Sequence, residues 1–177
     1  MNGKKGLSQV ISTVLLILLT VAIIGGVWAA VNGYVGSSLN RSGACNQILG
    51  KVSLNSDYTC YDPSSESVLI SISRGEFAME SLLVSVSEEL ESKSFFLEDD
   101  PKTVENLLNY KTLTNQISLP GNESGKTYCF FGFTSKPSLI EISPKRSGNQ
   151  CQVVDSVGDI PFCPAEITCS GSSFEQG

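Results

Sequence analysis

Two acidic clusters hold the side chains of this sequence that could act as acids, bases or cation ligands. Three glutamates lie within residues 88–91, and Glu98, Asp99 and Asp100 follow one another. Such carboxylates could bind calcium or supply the acid pair of a glycoside hydrolase. Neither cluster has the regular oxygen-ligand spacing of a calcium loop, and acidic side chains are common beside strand ends and at helix starts. We therefore interpret both clusters as solvated surface.

Other catalytic signals are missing from the sequence. The chain contains no His, which removes the commonest general base and metal ligand and makes a Ser-His-Asp triad impossible. It also lacks the S-x-x-K, G-x-S-x-G, P-loop and G-x-G-x-x-G patterns. We predict that the protein is not an enzyme and has no catalytic residue, metal site or cofactor. Hydrolysis by carboxylates is the weakest of three functional hypotheses.

The six cysteines are the other residues with a chemistry of their own. A structural zinc site needs closely spaced pairs such as C-x2-C, usually with His, and the sequence contains neither. An even number of cysteines in an exported segment predicts disulfides. Sequence alone does not choose among the possible pairings, although loop length favours bonds between neighbours. The neighbouring pairs are Cys45–Cys60, Cys129–Cys151 and Cys163–Cys169.

All of these cysteines follow a long apolar stretch near the N-terminus. No charged side chain occurs from Gly6 through Asn40, and Leu, Ile and Val dominate residues 10–31. About 20 apolar residues, at roughly 1.5 Å each, span a hydrocarbon core of about 30 Å. Because backbone groups in lipid must be paired internally, the stretch must be helical. It is longer than the apolar part of a secretory signal, and no Ala-x-Ala-like cleavage site follows it.

The residues just before this stretch resemble the class III signal of type IV pilins and archaellins. Lys4, Lys5 and Gly6 stand directly before Leu7, and the wording Leu-Ser-Gln-Val-Ile-Ser-Thr-Val-Leu-Leu is closest to archaeal type IV pilins. The resemblance implies that a prepilin peptidase cleaves between Gly6 and Leu7 and leaves the helix on the mature chain. Ile11 stands where bacterial major pilins usually carry Glu, which favours the archaeal type. An uncleaved signal anchor is the alternative.

Small residues recur every four positions along the predicted helix. One row is Gly25, Ala29, Gly33 and Ser37, and the other is Ala22, Gly26 and Ala30. Small residues at this spacing let helix backbones approach closely in membranes, which would suit packing into a filament core. The alternative stays open, because Gly and Ala are frequent in any membrane helix.

Charge predicts the orientation of the chain. Lys4 and Lys5 precede the helix, and the next basic residue is Arg41. Because basic flanks stay in the cytoplasm, the N-terminus is expected inside and everything after Tyr34 outside. The net charge is −6, and the outer part is more negative still, which argues against nucleic acid as a partner. We expect a single-pass membrane protein before assembly and a cell-surface filament afterwards.

Two glycosylation sequons gain meaning if this part of the chain is exported. They begin at Asn40, in Asn-Arg-Ser, and at Asn122, in Asn-Glu-Ser. Asn122 follows Pro120-Gly121, a turn signal that suits a bulky surface glycan. Both residues are candidates on the sequence alone.

Alternation of apolar and polar residues predicts strands after the helix. Residues 68–73 and 82–87 read as half-buried strands with Ser on one face, and the short connection at Arg74-Gly75-Glu76 predicts that they pair antiparallel. Asp100-Pro101 reads as a helix start, with Leu107 and Leu108 on the apolar face. Further strands are expected at 46–55, 95–97, 117–119, 128–133, 139–142 and 151–157.

Four segments follow from these patterns: a leader at 1–6, a hydrophobic helix at 7–40, a β-rich head at 41–169 and a polar tail at 170–177 that is expected to fray. Gly and Ser at 36–43 predict a hinge between helix and head. The fold class is α+β, with a long hydrophobic N-terminal helix followed by a mainly antiparallel β-sandwich head with disulfides. Aromatic residues at 95–96 and 128–133 could stack on sugars, but we interpret them as core.

The favoured function is therefore that of a filament subunit. The resemblance implies a prepilin peptidase, the pilus assembly machinery and other copies of the chain as partners, with the head exposed for adhesion or surface contact. Archaellins share the leader layout, so motility is left open. The second hypothesis is a membrane-anchored binding domain that is neither cleaved nor polymerised.

Overall fold

The computed structural model describes residues 4–89 and 91–169, with side chains described for residues 11–34, 45–89 and 91–169. The chain divides into two compact units, Met1–Gly43 and Ala44–Gly177. The α+β fold class with antiparallel sheets and disulfides is confirmed. The tail predicted to fray, residues 170–177, lies outside the described residues.

One helix, α1, runs from Lys4 to Asn46 and contains 43 residues. Residues 36–43, where Gly and Ser predicted an end to regular structure, keep a helical backbone, and the hinge itself stays a prediction. A single Gly costs a helix only about 1 kcal/mol, and no Pro interrupts the sequence there. The helix ends in a turn in which the Ile48 N–H donates to Cys45 O at 3.1 Å and Gly50 takes a φ of +75°. That turn also shortens the strand predicted at 46–55.

Twelve strands follow the helix within the described residues 47–89 and 91–169. They are β1 (Val52–Leu54), β2 (Cys60–Asp62), β3 (Ser67–Arg74), β4 (Ser81–Ser87), β5 (Ser92–Glu98), β6 (Lys102–Thr103), β7 (Leu107–Asn109), β8 (Gln116–Ile117), β9 (Ser124–Phe131), β10 (Leu139–Arg146), β11 (Asn149–Gln150) and β12 (Asp155–Gly158). Sheet A has the order β1-β3-β9-β7, with β2 also on β3, and sheet B has the order β11-β10-β4-β5, with β12 also on β10. Strands β6 and β8 form a separate pair. Every named pairing is antiparallel.

The strands β3 and β4 were predicted correctly, but the prediction that they pair is wrong. Strand β3 pairs with β1, β2 and β9 in sheet A, whereas β4 pairs with β5 and β10 in sheet B. The connection at residues 75–80 is long enough to cross from one sheet to the other, and Met79 within it is buried in the core. Crossing lets both strands point their apolar face inward.

The two sheets pack face to face around one core. Val68, Ile70 and Ile72 of β3 lie in the same buried cluster as the apolar side chains of β4 and β10. The Phe95 ring of β5 meets the Phe130 ring of β9 edge-on, with centroids 4.8 Å apart. Aromatic pairs prefer this T-shaped geometry. The head is therefore a β-sandwich.

The helix predicted from Asp100-Pro101 is wrong. The segment instead forms β6 and β7, and Asn106 between them has a φ of +58°, which no α-helix allows. Leu107 is buried in the main core, and Leu108 is buried in a second cluster on the other side of sheet A. Neighbouring residues of a strand point to opposite sides of the sheet, so a strand lets both leucines be buried. This burial outweighs the local helix-start signal.

Candidate membrane and assembly helix

The part of α1 from Ile11 to Tyr34 is a continuous apolar segment of the helix. It contains 24 residues, and all of their side chains are exposed. At about 1.5 Å per residue it is about 36 Å long, which exceeds a hydrocarbon core of about 30 Å. Trp28 lies toward its C-terminal end and Tyr34 closes it, as is typical of aromatic side chains at a membrane–water interface. Length and composition suit a membrane anchor or a signal sequence.

The small residues of this helix lie together on one side. Each residue advances about 100° around an α-helix, so the rows that begin at Gly25 and Ala22 adjoin, while Ile17, Ile24 and Val31 lie opposite. A Cβ atom added at Gly25, Gly26 or Gly33 would meet no heavy atom within 4 Å. The space beside these glycines is open, so another helix backbone could approach there. Ala29 and Ala30 continue the face, and the side chain of Ser37 lies outside the described part.

The predicted processing residues lie at the start of the same helix. The backbone of Lys4, Lys5, Gly6 and Leu7 belongs to the first two turns of α1. Their side chains lie outside the described part of the chain. Cleavage between Gly6 and Leu7 therefore stays a prediction.

The acidic clusters of the head serve local contacts. Glu88 accepts a hydrogen bond from the Ser135 N–H, and Glu98 pairs with Lys102, both at exposed positions. Asp99 accepts a hydrogen bond from Arg74 at 2.9 Å. Within residues 4–89 and 91–169, no group of three or more His, Cys, Asp or Glu side chains is placed to hold a metal ion. These contacts suit a solvated surface.

Three disulfides hold the head, and they differ from the predicted neighbour pairs. The bonds are Cys45–Cys151, Cys60–Cys163 and Cys129–Cys169. The prediction that disulfides form is confirmed, and the pairings Cys45–Cys60, Cys129–Cys151 and Cys163–Cys169 are wrong. Loop length governs only the entropy of the unfolded chain, whereas the sandwich brings cysteines from distant parts of the sequence side by side.

Two of these bonds fix residues 161–169, which we call the C-terminal strap, to the outer side of sheet A. The Tyr61 N–H donates to Pro161 O at 2.8 Å, and the Cys163 N–H donates to Tyr61 O at 2.9 Å, so the strap runs along β2. Cys163 and Cys169 pack with Leu69 and Leu108 in the second buried cluster. This segment has no periodic apolar pattern, and only its two cysteines could have indicated it.

Three comparisons were made with known proteins. No family model, curated protein or solved structure matches the chain.

Buried polar groups in the head are satisfied by hydrogen bonds. Burial opposes ionisation of Asp62, but hydrogen bonds from Ser64 and Ser65 outweigh it and lower the pKa of this carboxyl. Burial also lowers the pKa of the Lys126 ammonium, which donates to the Ser118 hydroxyl at 2.8 Å. Burial raises the pKa of the Tyr128 phenol, which donates to Ser118 O at 2.7 Å. Each group supports local structure.

The aromatic residues divide between core and surface. Phe95, Phe130 and Phe133 form an edge-to-face stack inside the sandwich. Phe96 points out of sheet B and is 52% exposed. The interpretation as core is therefore confirmed for the first three residues and wrong for Phe96.

Proposed function

We propose that this chain is the structural subunit of a type IV pilus-like surface filament of the archaeal type. The observation that carries the proposal is an exposed apolar segment of α1, Ile11–Tyr34, on a helix that begins with Lys4, Lys5 and Gly6 directly before Leu7. An anchor needs only the apolar length. A peptidase that removes a short basic leader also needs a cleavable residue at the start of the helix.

Cleavage after Gly6 suits assembly for an electrostatic reason. Removal of residues 1–6 takes away Lys4 and Lys5, so the only positive charge left before Arg41 would be the new α-amino group of Leu7. Burying the helix among other helices then avoids the cost of desolvating a lysine side chain. The small-residue face, described above from Ala22 to Gly33, would let neighbouring helices approach closely.

The head is the part left on the outside of the filament. Disulfides persist in oxidising surroundings outside the cytoplasm, which matches a head exposed at the cell surface. Its partners are a prepilin peptidase, the assembly machinery and other copies of the chain, with adhesion or surface contact as its role. The net charge of −6 disfavours nucleic acid.

A membrane-anchored binding domain that is not cleaved is the second candidate, because the length and composition of α1 suit an anchor equally well. Mass spectrometry of the N-terminus separates the two candidates. A chain that begins at Leu7 supports the filament subunit, and a chain that keeps Met1 contradicts it. Electron microscopy of filaments sheared from the cells then shows whether the processed chain polymerises.

A carboxylate-based hydrolase is the remaining hypothesis, and it is tested separately. The purified full chain is incubated with polysaccharides, and released reducing sugar is measured. Turnover that is lost on exchanging Glu98 and Asp100 for their amides would contradict a purely structural role.

A further inference from the structure

The two glycosylation sequons differ in backbone structure. Asn40 lies inside α1, which stays helical to Asn46. Asn122 is exposed and lies in the connection between β8 and β9, where Glu123 has a φ of +52°. Glycosylated sequons lie on surface loops, because the transferring enzyme must reach both the amide and the hydroxyl two residues later. Only the second sequon lies in such a loop in the folded chain.

A groove of about 390 Å³ lies beside Asn122. Its lining comes from the turn after α1, from β1 and β3, and from the start of β9, and comprises Gly50, Lys51, Ser53, Ser73, Arg74, Gly75, Glu123, Ser124 and Gly125. One stretch of the lining, residues 123–125, begins directly after Asn122. The backbone of Asn122 therefore adjoins the groove, and a group attached to its amide can extend into it.

The strand register gives the groove a polar floor. Ser53 of β1 lies opposite Ser73 of β3, which in turn lies opposite Gly125 of β9. Since neighbouring strands are about 4.8 Å apart, this row spans about 10 Å. A Cβ atom added at Gly125 would lie 3.7 Å from the Ser73 hydroxyl, so Gly125 leaves open the space beside that hydroxyl.

Four polar side chains at this groove are free to bind a ligand, whereas Arg74 donates to Phe77 O, Pro120 O and Asp99 and the Ser124 hydroxyl donates to Gly121 O. The hydroxyls of Ser53 and Ser73 have no hydrogen-bond partner in the part of the chain that the structure describes, and neither do the side chains of Lys51 and Glu123. Hydroxyl, ammonium and carboxylate groups together offer donors and acceptors, which is what the hydroxyls of a sugar require. Three of the lining residues are glycines without a side chain, so the groove is shallow and open.

We propose that Asn122, and not Asn40, carries an asparagine-linked glycan, and that the first sugars of this glycan lie in the groove over Ser73 and Gly125. The proposal rests on the proposed function, because glycan transfer takes place on the exported side of the membrane. Sugar hydroxyls replace water on Ser53, Ser73 and Glu123, and the glycan covers the end of sheet A near the turn after α1.

The modification is tested on the full chain, purified from membranes of a host that has an asparagine-linked glycosylation pathway. Glycopeptide mass spectrometry is expected to find the glycan on the peptide that contains Asn122 and an unmodified peptide that contains Asn40. N122Q should lose the whole glycan mass, and N40Q should keep it. A glycan on Asn40, or an unmodified Asn122, overturns the proposal.

The same sample separates this proposal from the proposed function. An unmodified Asn122 in a chain that begins at Leu7 overturns the glycan and leaves the filament subunit intact. A modified Asn122 in a chain that keeps Met1 supports the glycan and contradicts processing.

The position of the glycan in the groove is tested by the rate at which a peptide-N-glycosidase releases it from the native protein. G125L fills the groove, and S73A removes a hydroxyl without adding bulk, so each should speed release severalfold. S156L changes the outer face of sheet B and is the matched control, with release expected at the wild-type rate. Equal release rates for wild type and S73A, with unchanged thermal stability, would show that the sugars do not lie in the groove.

Discussion

Arg74 donates a hydrogen bond from Nη1 to Asp99 Oδ1 at 2.9 Å, although the Arg74 side chain is only 6% exposed and that of Asp99 is 64% exposed. The same guanidinium donates to Phe77 O through Nε and Nη2 and to Pro120 O through Nη1. It thereby joins the end of β3 to the crossing between the sheets and to the loop before β9. Most of its partners are backbone carbonyls.

We expect R74M to lower the free energy of unfolding by about 3 kcal/mol, because the carbonyls of Phe77 and Pro120 lose a charged donor and stay buried. D99N should cost less than about 1 kcal/mol, since the ion pair is open to water on the Asp99 side. Urea unfolding of both variants measures the difference. Equal losses would mean that the ion pair, and not the carbonyl contacts, stabilises the fold.

The C-terminal strap gives a second prediction. Replacing Cys60 and Cys163 by Ala should lower stability by about 2–5 kcal/mol and should increase the binding of a hydrophobic dye, because the strap covers Leu69 and Leu108. Thermal unfolding and dye fluorescence report the two effects.

The control for the strap is removal of the disulfide that does not involve the strap, Cys45–Cys151. Exchanging Cys45 and Cys151 for Ala should also destabilise the head, but without the rise in dye fluorescence, because this bond does not hold the strap. A similar rise in both double variants would contradict the proposed cover.

The lowered pKa of Asp62 predicts how the free energy of unfolding depends on pH. This pKa is lower in the folded chain than its ordinary value near 4, so the folded state binds this proton less readily than the unfolded state. The contribution of Asp62 is therefore complete above about pH 5 and is lost as pH falls through its folded pKa. D62N should be less stable than wild type at neutral pH, and the difference should shrink below about pH 4. Urea midpoints at several pH values check this, and a constant difference would contradict it.

The small-residue face of α1 gives a prediction for assembly. G33I places a branched side chain where a neighbouring helix backbone would approach, so we expect fewer or no filaments at normal membrane levels of the chain. I24L changes the opposite side of the helix and should assemble as wild type does. Electron microscopy of sheared filaments, with immunoblots of the membrane fraction, measures both. Normal filaments from G33I would show that this face makes no close contact.

Alternation of apolar and polar residues predicted the strands β3 and β4 correctly. Val84 and Val86 alternate with Ser in β4, and this alternation reports a sheet with one apolar face whatever its partners are. The partners themselves depend on contacts far along the chain. The sequence around Gly75 looks like a hairpin connection, yet β3 and β4 belong to different sheets. No local signal distinguishes a hairpin from a crossing of similar length.

The disulfides and the strap show the same limit. Cys60 and Cys163 are 103 residues apart in sequence, and only the packing of the strap on β2 brings them together. Loop length instead predicted bonds between cysteines that are neighbours in the sequence. For the helix, by contrast, composition was sufficient to predict the apolar stretch, since consecutive apolar residues mark it without reference to any tertiary partner. The end of the helix at Asn46 was not predicted, because Gly and Ser at residues 36–43 indicated an earlier end to regular structure.

The bond between Cys45 and Cys151 determines how the head would bear a mechanical load. When the helix is held and the C-terminal strap is pulled, tension enters the head at Cys45 and crosses directly to Cys151. The intervening chain, a sequence separation of 106 residues, is bypassed and cannot be drawn out. Backbone between Cys151 and Cys163 is then the stretch that carries the load to the strap. A head built in this way would yield little under tension, which is a useful property in a tether.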